Sequence, residues 1–201
     1  MKTRSGNIAL AASFIFTVSL SCLISDAYGE RGVKETTTCA VRVYVADPDP
    51  NGLNVRSGPS GDAEIIGVIP TSHPAVAGTM LYVNKARNGW LWYSHFEHVL
   101  DEGPPFFPVP ASGWVHGSLV RVDPQANAYG RAGGGLFLYA KPRTQSRKLF
   151  KLTDKPIAKF SITSCRERWI EVALQYEGEG RTASGWLHPD DYCGHAVTTC
   201  P

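Results

Sequence analysis

Ser112 and His116 in ASGWVH (residues 111–116) return as Ser184 and His188 in ASGWLH (183–188), so a serine and a histidine bracket a Gly-Trp pair twice. A serine nucleophile works only with its base within about 3 Å of the hydroxyl. If each copy is a strand, residues four apart share a face but lie roughly 13 Å apart at about 3.3 Å per residue. The spacing argues against a dyad within one copy, and the chain is read as a non-enzyme. The serines suit a turn before the glycine. Gly113 and Gly185 suit a close backbone approach, and Trp114 and Trp186 a core or half-core role.

Cysteine offers a second chemistry. Without Cys22, which lies in an N-terminal apolar run, the chain holds Cys39, Cys165, Cys193 and Cys200. Four cysteines in an exported chain read as two disulfides with three possible pairings. Zinc held by His188, Cys193 and His195 is the competing reading, but paired C-x-x-C knuckles are missing. No metal and no cofactor is expected.

The start of the chain decides the compartment. Lys2 and Arg4 precede the apolar run IALAASFIFTVSLSCLI, and Ala27-Tyr28-Gly29 places small residues before Glu30. This is the order of a secretory signal spanning 1–29, with an uncleaved anchor as the alternative. The expected location is periplasmic or extracellular, with membrane contact only transient, through the signal. Removing 1–29 takes away two basic residues and one acidic residue and leaves a formal charge of +1. A balance so near neutral does not announce a nucleic-acid binder.

The elements that must position these residues come from a repeat. LNVRSGPS (53–60) aligns with LFLYAKPR (136–143) at an offset of 83, and Ile66 and Ile69 align with Leu149 and Leu152. Strand-like runs opened by Trp90 and Trp169 follow, and the ASGW copies close each half at an offset of 72. Apolar residues alternate and Gly, Pro, Asn and Asp punctuate them, as in half-buried strands. Val41, Val43 and Val45 make an opening strand, and DPQANAYGRAGGG (123–135) has the composition of a linker.

LNVRSGPS, IIGVIP, the NGW strand and the closing GWVHGSL resemble the bacterial SH3 (SH3b) family. The first module (38–124) matches along most of its length. The second (135–201), after a linker at 125–134, matches through its proline, strand tryptophan and ASGWLHPDDY. The resemblance implies an all-β chain of two tandem five-stranded SH3-like barrels. It also implies a Cys165–Cys193 disulfide, because the loop before the strand tryptophan and the turn after ASGWLHP lie close in such a barrel. Cys39–Cys200 is what remains, and the two modules would then form a fixed pair. The target class that the resemblance implies is a cell-envelope component such as peptidoglycan.

The aromatic segment GWLWYSHFEH (89–98) is the first candidate contact surface. Trp90 and Trp92 share one face of a strand and Leu91 and Tyr93 the other, so a small core cannot bury them all. Trp90, Trp92 and Tyr93, with Phe106 and Phe107 from the insert VLDEGPPFFPVPAS (99–112), are the candidate binding residues. A second candidate is Lys141, Arg143, Arg147, Lys148, Lys151, Lys155 and Lys159, set against Asp154 alone. Lysines that guard a strand edge would look the same. The expected function is an exported, non-catalytic protein that binds peptidoglycan or another envelope polymer. A protein-interaction or inhibitory module of the envelope, docking a protein through the proline-rich insert, is the alternative, with an envelope hydrolase behind it.

Overall fold

The computed structural model describes residues 35–71, 79–98, 109–124 and 135–194. The expected signal segment (1–29), Phe106, Phe107, His195 and Cys200 lie outside these residues. Among the described residues there is no α-helix, and the chain is all-β with antiparallel sheets. The first sheet contains β1 (Thr37–Val45), β2 (Leu53–Arg56), β3 (Ile65–Ile69), β4 (Thr79–Arg87), β5 (Trp90–His98), β6 (Gly113–His116) and β7 (Val120–Arg121). Its order is β3-β2-β6-β5-β4-β1-β7. With β8 (Asp123–Pro124) set aside, the second sheet contains β9 (Phe137–Tyr139), β10 (Lys148–Lys151), β11 (Ile157–Arg166), β12 (Trp169–Tyr176) and β13 (Ala183–Leu187). Its order is β10-β9-β13-β12-β11. A 3-10 turn at Pro189–Asp191 then leads to β14 (Tyr192–Cys193), which pairs with β8. None of the sheets closes into a barrel.

The order β3-β2-β6-β5-β4 is the order β10-β9-β13-β12-β11, strand for strand. The repeat therefore extends from sequence to hydrogen-bond topology, and the first sheet differs by the two strands added beyond β4. The glycine of ASGW shows why both copies keep it. A side chain on Gly113 would overlap Val55 and come within 3.3 Å of Ile66 Cδ1. One on Gly185 would lie 3.0 Å from Leu138 Cβ and 3.4 Å from Leu149 Cδ1. Val55 and Leu138, like Ile66 and Leu149, are equivalent at the offset of 83. Both glycines thus let β2 or β9 cross close above the closing strand.

The described residues belong to one compact unit, and most of their buried apolar side chains form one cluster. Val43, Leu53, Leu81, Leu91 and Val115 of the first repeat and Leu138, Ile162, Ile170, Val172 and Leu187 of the second have no exposure at all. Backbone bonds join the repeats along the free edge of β11. Ile162 N donates to Gly117 O at 2.9 Å, and Gly89 N donates to Thr163 O at 3.2 Å. At the tip of the β11–β12 hairpin, Glu167 N donates to Thr38 O at 2.9 Å and Ala40 N to Glu167 O at 2.6 Å. A side chain on Gly117 would overlap the Ile162 carbonyl, which explains glycine there.

Cys39 of β1 is bonded to Cys165 of β11, with Cα atoms 5.6 Å apart. This overturns both expected bridges, Cys165–Cys193 and Cys39–Cys200. The barrel-based pairing considered contacts within one repeat, whereas β1 lies beside the β11–β12 turn, where Cys39 forms a parallel bridge with Glu167. Cys193 is also disulfide-bonded. The bond that is formed still ties the repeats together covalently. It closes a loop of 126 residues, worth about 5 kcal/mol in the chain-entropy model. A disulfide of this kind points to a non-cytoplasmic compartment. Among the described residues no helix is long and apolar enough to cross a membrane.

Candidate functional site

Alternation along β5 sorts its aromatic residues. Leu91 and Tyr93 have no exposure, whereas Trp90 and Trp92 are half-buried on the opposite side. On β6, Gly113 and Val115 face inward, and Trp114 and His116 are half-buried on the outer side. Register places Trp92 opposite Trp114 and Trp90 opposite His116. Arg56 of β2 pairs with Trp114, and Lys85 of β4 pairs with Trp92. The outer face thus carries a cross-strand row, Arg56–Trp114–Trp92–Lys85.

The ring of Trp92 meets that of Trp114 edge to face, with centroids 5.6 Å apart and planes at 65°. Trp90 and His116 meet in the same way at 5.1 Å and 75°. The Lys85 ammonium lies 5.9 Å from the Trp92 ring, and the Arg56 guanidinium 6.0 Å from the Trp90 ring. Arg56 Nη1 donates to Ala63 O at 2.6 Å, which fixes the guanidinium. Each edge-to-face pair contributes about 0.5–1.5 kcal/mol and each exposed cation–π contact about 0.5–1 kcal/mol. The row is therefore held in place by its own contacts. Further along the same two strands, Tyr82 and His95 stack with centroids 3.9 Å apart.

Lys85 reaches this face through a bulge. Val83 pairs with Tyr93 in the core and Lys85 with Trp92 outside, although residues two apart on a regular strand share a face. The register shift at Asn84 turns the strand over and re-aims Lys85. The Asn84 Oδ1 atom is buried without a hydrogen-bond partner at this irregularity.

Tyr93 does not belong to the candidate face. It shares Leu91's side of β5, is completely buried, and donates its hydroxyl to Pro110 O at 2.6 Å. Burial raises its pKa far above the ordinary phenol value, so it stays neutral. Of the residues expected to bind, the structure brings Trp90 and Trp92 together, moves Tyr93 to the core, and does not describe Phe106 and Phe107. It adds Trp114, Arg56 and Lys85. The sequence signal for Trp114 was present, since alternation with the inward Gly113 and Val115 puts it outside.

The histidines of the duplicated motif are structural in both copies. His116 Nδ1 lies 2.7 Å from Ser118 Oγ, two residues on, and His188 Nδ1 accepts from Asp190 N at 3.1 Å. Each imidazole also meets the strand tryptophan, Trp90 in the first repeat and Trp169, at 4.7 Å and 78°, in the second. Burial lowers the His116 pKa and keeps the ring neutral at pH 7. Both imidazoles thus close a turn onto the next two residues and pack against an indole.

The basic residues of 141–159 are all exposed. Lys148 and Lys151 lie on the edge strand β10, and Lys155 pairs with Glu179 at 2.8 Å. A pocket of about 400 Å³ in the second repeat is lined by Leu136, Leu152, Thr153, Lys155, Ile157 and Tyr176 among others, and by none of the aromatic row. Among the described residues no three His, Cys, Asp or Glu side chains gather as metal ligands would. Comparison with known proteins found no match: no family model, no curated protein and no solved structure resembles the chain at a significant level.

Proposed function

We propose that this is an exported, non-catalytic binding protein built of two bacterial SH3-like modules. Its ligand is a cell-envelope polymer, peptidoglycan in first place, held on the outer face of the first repeat. The observation that carries the reading is the row Arg56–Trp114–Trp92–Lys85, a half-buried indole pair flanked by two cations. Peptidoglycan offers complementary chemistry: pyranose rings with apolar C–H faces for the indoles, and peptide carboxylates for the guanidinium and the ammonium. The strand order shared by the repeats supports the modular part of the reading, and the Cys39–Cys165 bridge supports export.

The test is co-sedimentation of the folded protein with purified sacculi at low salt. Retention in the pellet, lost in a Trp92→Ala, Trp114→Ala double variant, is the expected result. Folded protein that stays in the supernatant at low salt overturns the proposal.

A further inference from the structure

The two repeats end in equivalent strands, β3 and β10, each the outermost strand of its sheet and paired on one side only among the described residues. Among those residues the exposed large apolar side chains are Ile65, Ile66 and Leu149, 44–48% exposed, and all three lie on these two edges. An edge strand with exposed aliphatic residues is a template for another strand unless something guards it.

The guards differ between the copies. Residues 58–68, covering β3 and the loop before it, contain Asp62 and Glu64 and no basic residue. The equivalent residues 141–151 contain Lys141, Arg143, Arg147, Lys148 and Lys151 and no acidic residue. All seven charged side chains are exposed. Two β10 edges repel each other, and so do two β3 edges. A β3 edge and a β10 edge attract, and each brings apolar surface to the contact.

We propose that a second copy of this chain is the partner of these edges, with β3 of one molecule docking on β10 of the next, head to tail. The contact joins different surfaces, so a pair of molecules keeps one edge of each kind free, and the assembly grows as an open chain unless the rotation closes it into a ring. Added salt weakens the contact by screening it. Like charge on each edge rejects the two symmetric dimers, which is specificity by repulsion. The contact uses no tryptophan of the aromatic row, and of that row only Arg56, which donates to Ala63 O between Asp62 and Glu64, reaches its loop; the inference therefore stands or falls apart from the binding reading.

Sedimentation velocity over rising protein concentration tests it. The mean mass of the wild type should rise with concentration at low salt and fall back towards the monomer at high salt. An Asp62→Lys, Glu64→Lys variant loses the β3 edge, and a Lys148→Glu, Lys151→Glu variant loses the β10 edge. Each alone should associate about tenfold or more weakly than the wild type, the order of effect that charge reversal has at an electrostatic contact. Mixed in equal amounts, the two should recover association that neither shows alone, through the one native β3 edge and the one native β10 edge that remain. Circular dichroism checks that these exposed substitutions leave the fold intact. A wild type that is monomeric at every concentration and salt overturns the proposal, as does a variant that assembles alone as well as the wild type does.

Discussion

The outer faces of the two repeats are built on the same strand order but carry different side chains. Arg56, Trp114, Trp92 and Lys85 in the first correspond, by strand register, to Tyr139, Trp186, Glu171 and Ser164 in the second. In the first repeat the indole pair is half-exposed between cations. In the second, Tyr139, Trp169 and His188 are buried to 9% exposure or less and pack edge to face with one another. What both copies keep is scaffold: the strand order, the crossing glycine and the Trp–His contact. What differs is the row that solvent can reach, and that is where a ligand would be read.

Breaking the Cys39–Cys165 bond has the largest expected effect. A Cys39→Ser, Cys165→Ser variant should lose about 2–5 kcal/mol, read by urea denaturation. The two repeats share one core, so it should still unfold in a single transition. Two separate transitions would show that the repeats are independent and that their comparison is one of separate domains.

Next comes binding. Trp92→Ala should weaken retention on sacculi by about tenfold or more, as loss of a central aromatic contact typically does, whereas Trp186→Ala on the equivalent row should change it little. Equal losses from both would erase the functional distinction between the repeats.

A smaller effect is expected at the hairpin tips. Asn88 and Glu167 occupy the same turn position, with φ of 53° and 52°. Asparagine tolerates the left-handed region, whereas glutamate is strained there by about 1–2 kcal/mol. Glu167→Gly should therefore raise stability by up to about 1 kcal/mol, after allowing for glycine's greater freedom in the unfolded chain. Asn88→Gly should gain less. Matched thermal melts of the two variants check the difference.

The smallest effect is on pH dependence. His116 has a lowered pKa in the folded state because of burial, so the unfolded chain takes up its proton first. Stability should fall as the pH drops below the ordinary histidine value of about 6.5 and should level off once the folded form is also protonated. In His116→Gln this part of the decline should be missing from the melting temperatures.

Much of this comparison was legible in the sequence, because side-chain alternation and the offsets report local geometry directly. The offset of 83 matches Val55 to Leu138 and Ile66 to Leu149, and the structure places Val55 and Ile66 over Gly113 and Leu138 and Leu149 over Gly185. Alternation along β5 separates Trp90 and Trp92 from Leu91 and Tyr93, and the structure buries Tyr93 with Leu91 in the core. Lys85 was not legible, because only the bulge at Asn84 moves it from the core side to the aromatic face. The disulfide was misread for a related reason. Cys39 meets Cys165 because β1 lies against the second repeat, and that contact between repeats follows no pattern within either one.

The most direct test of the central claim is a titration of isotope-labelled protein with soluble muropeptides, following the indole N–H signals by nuclear magnetic resonance. The account predicts that Trp92 and Trp114, with Trp90 beside them, shift in a saturable way while Trp169 and Trp186 stay still. Shifts confined to Trp169 and Trp186, or none at saturating ligand, would contradict it.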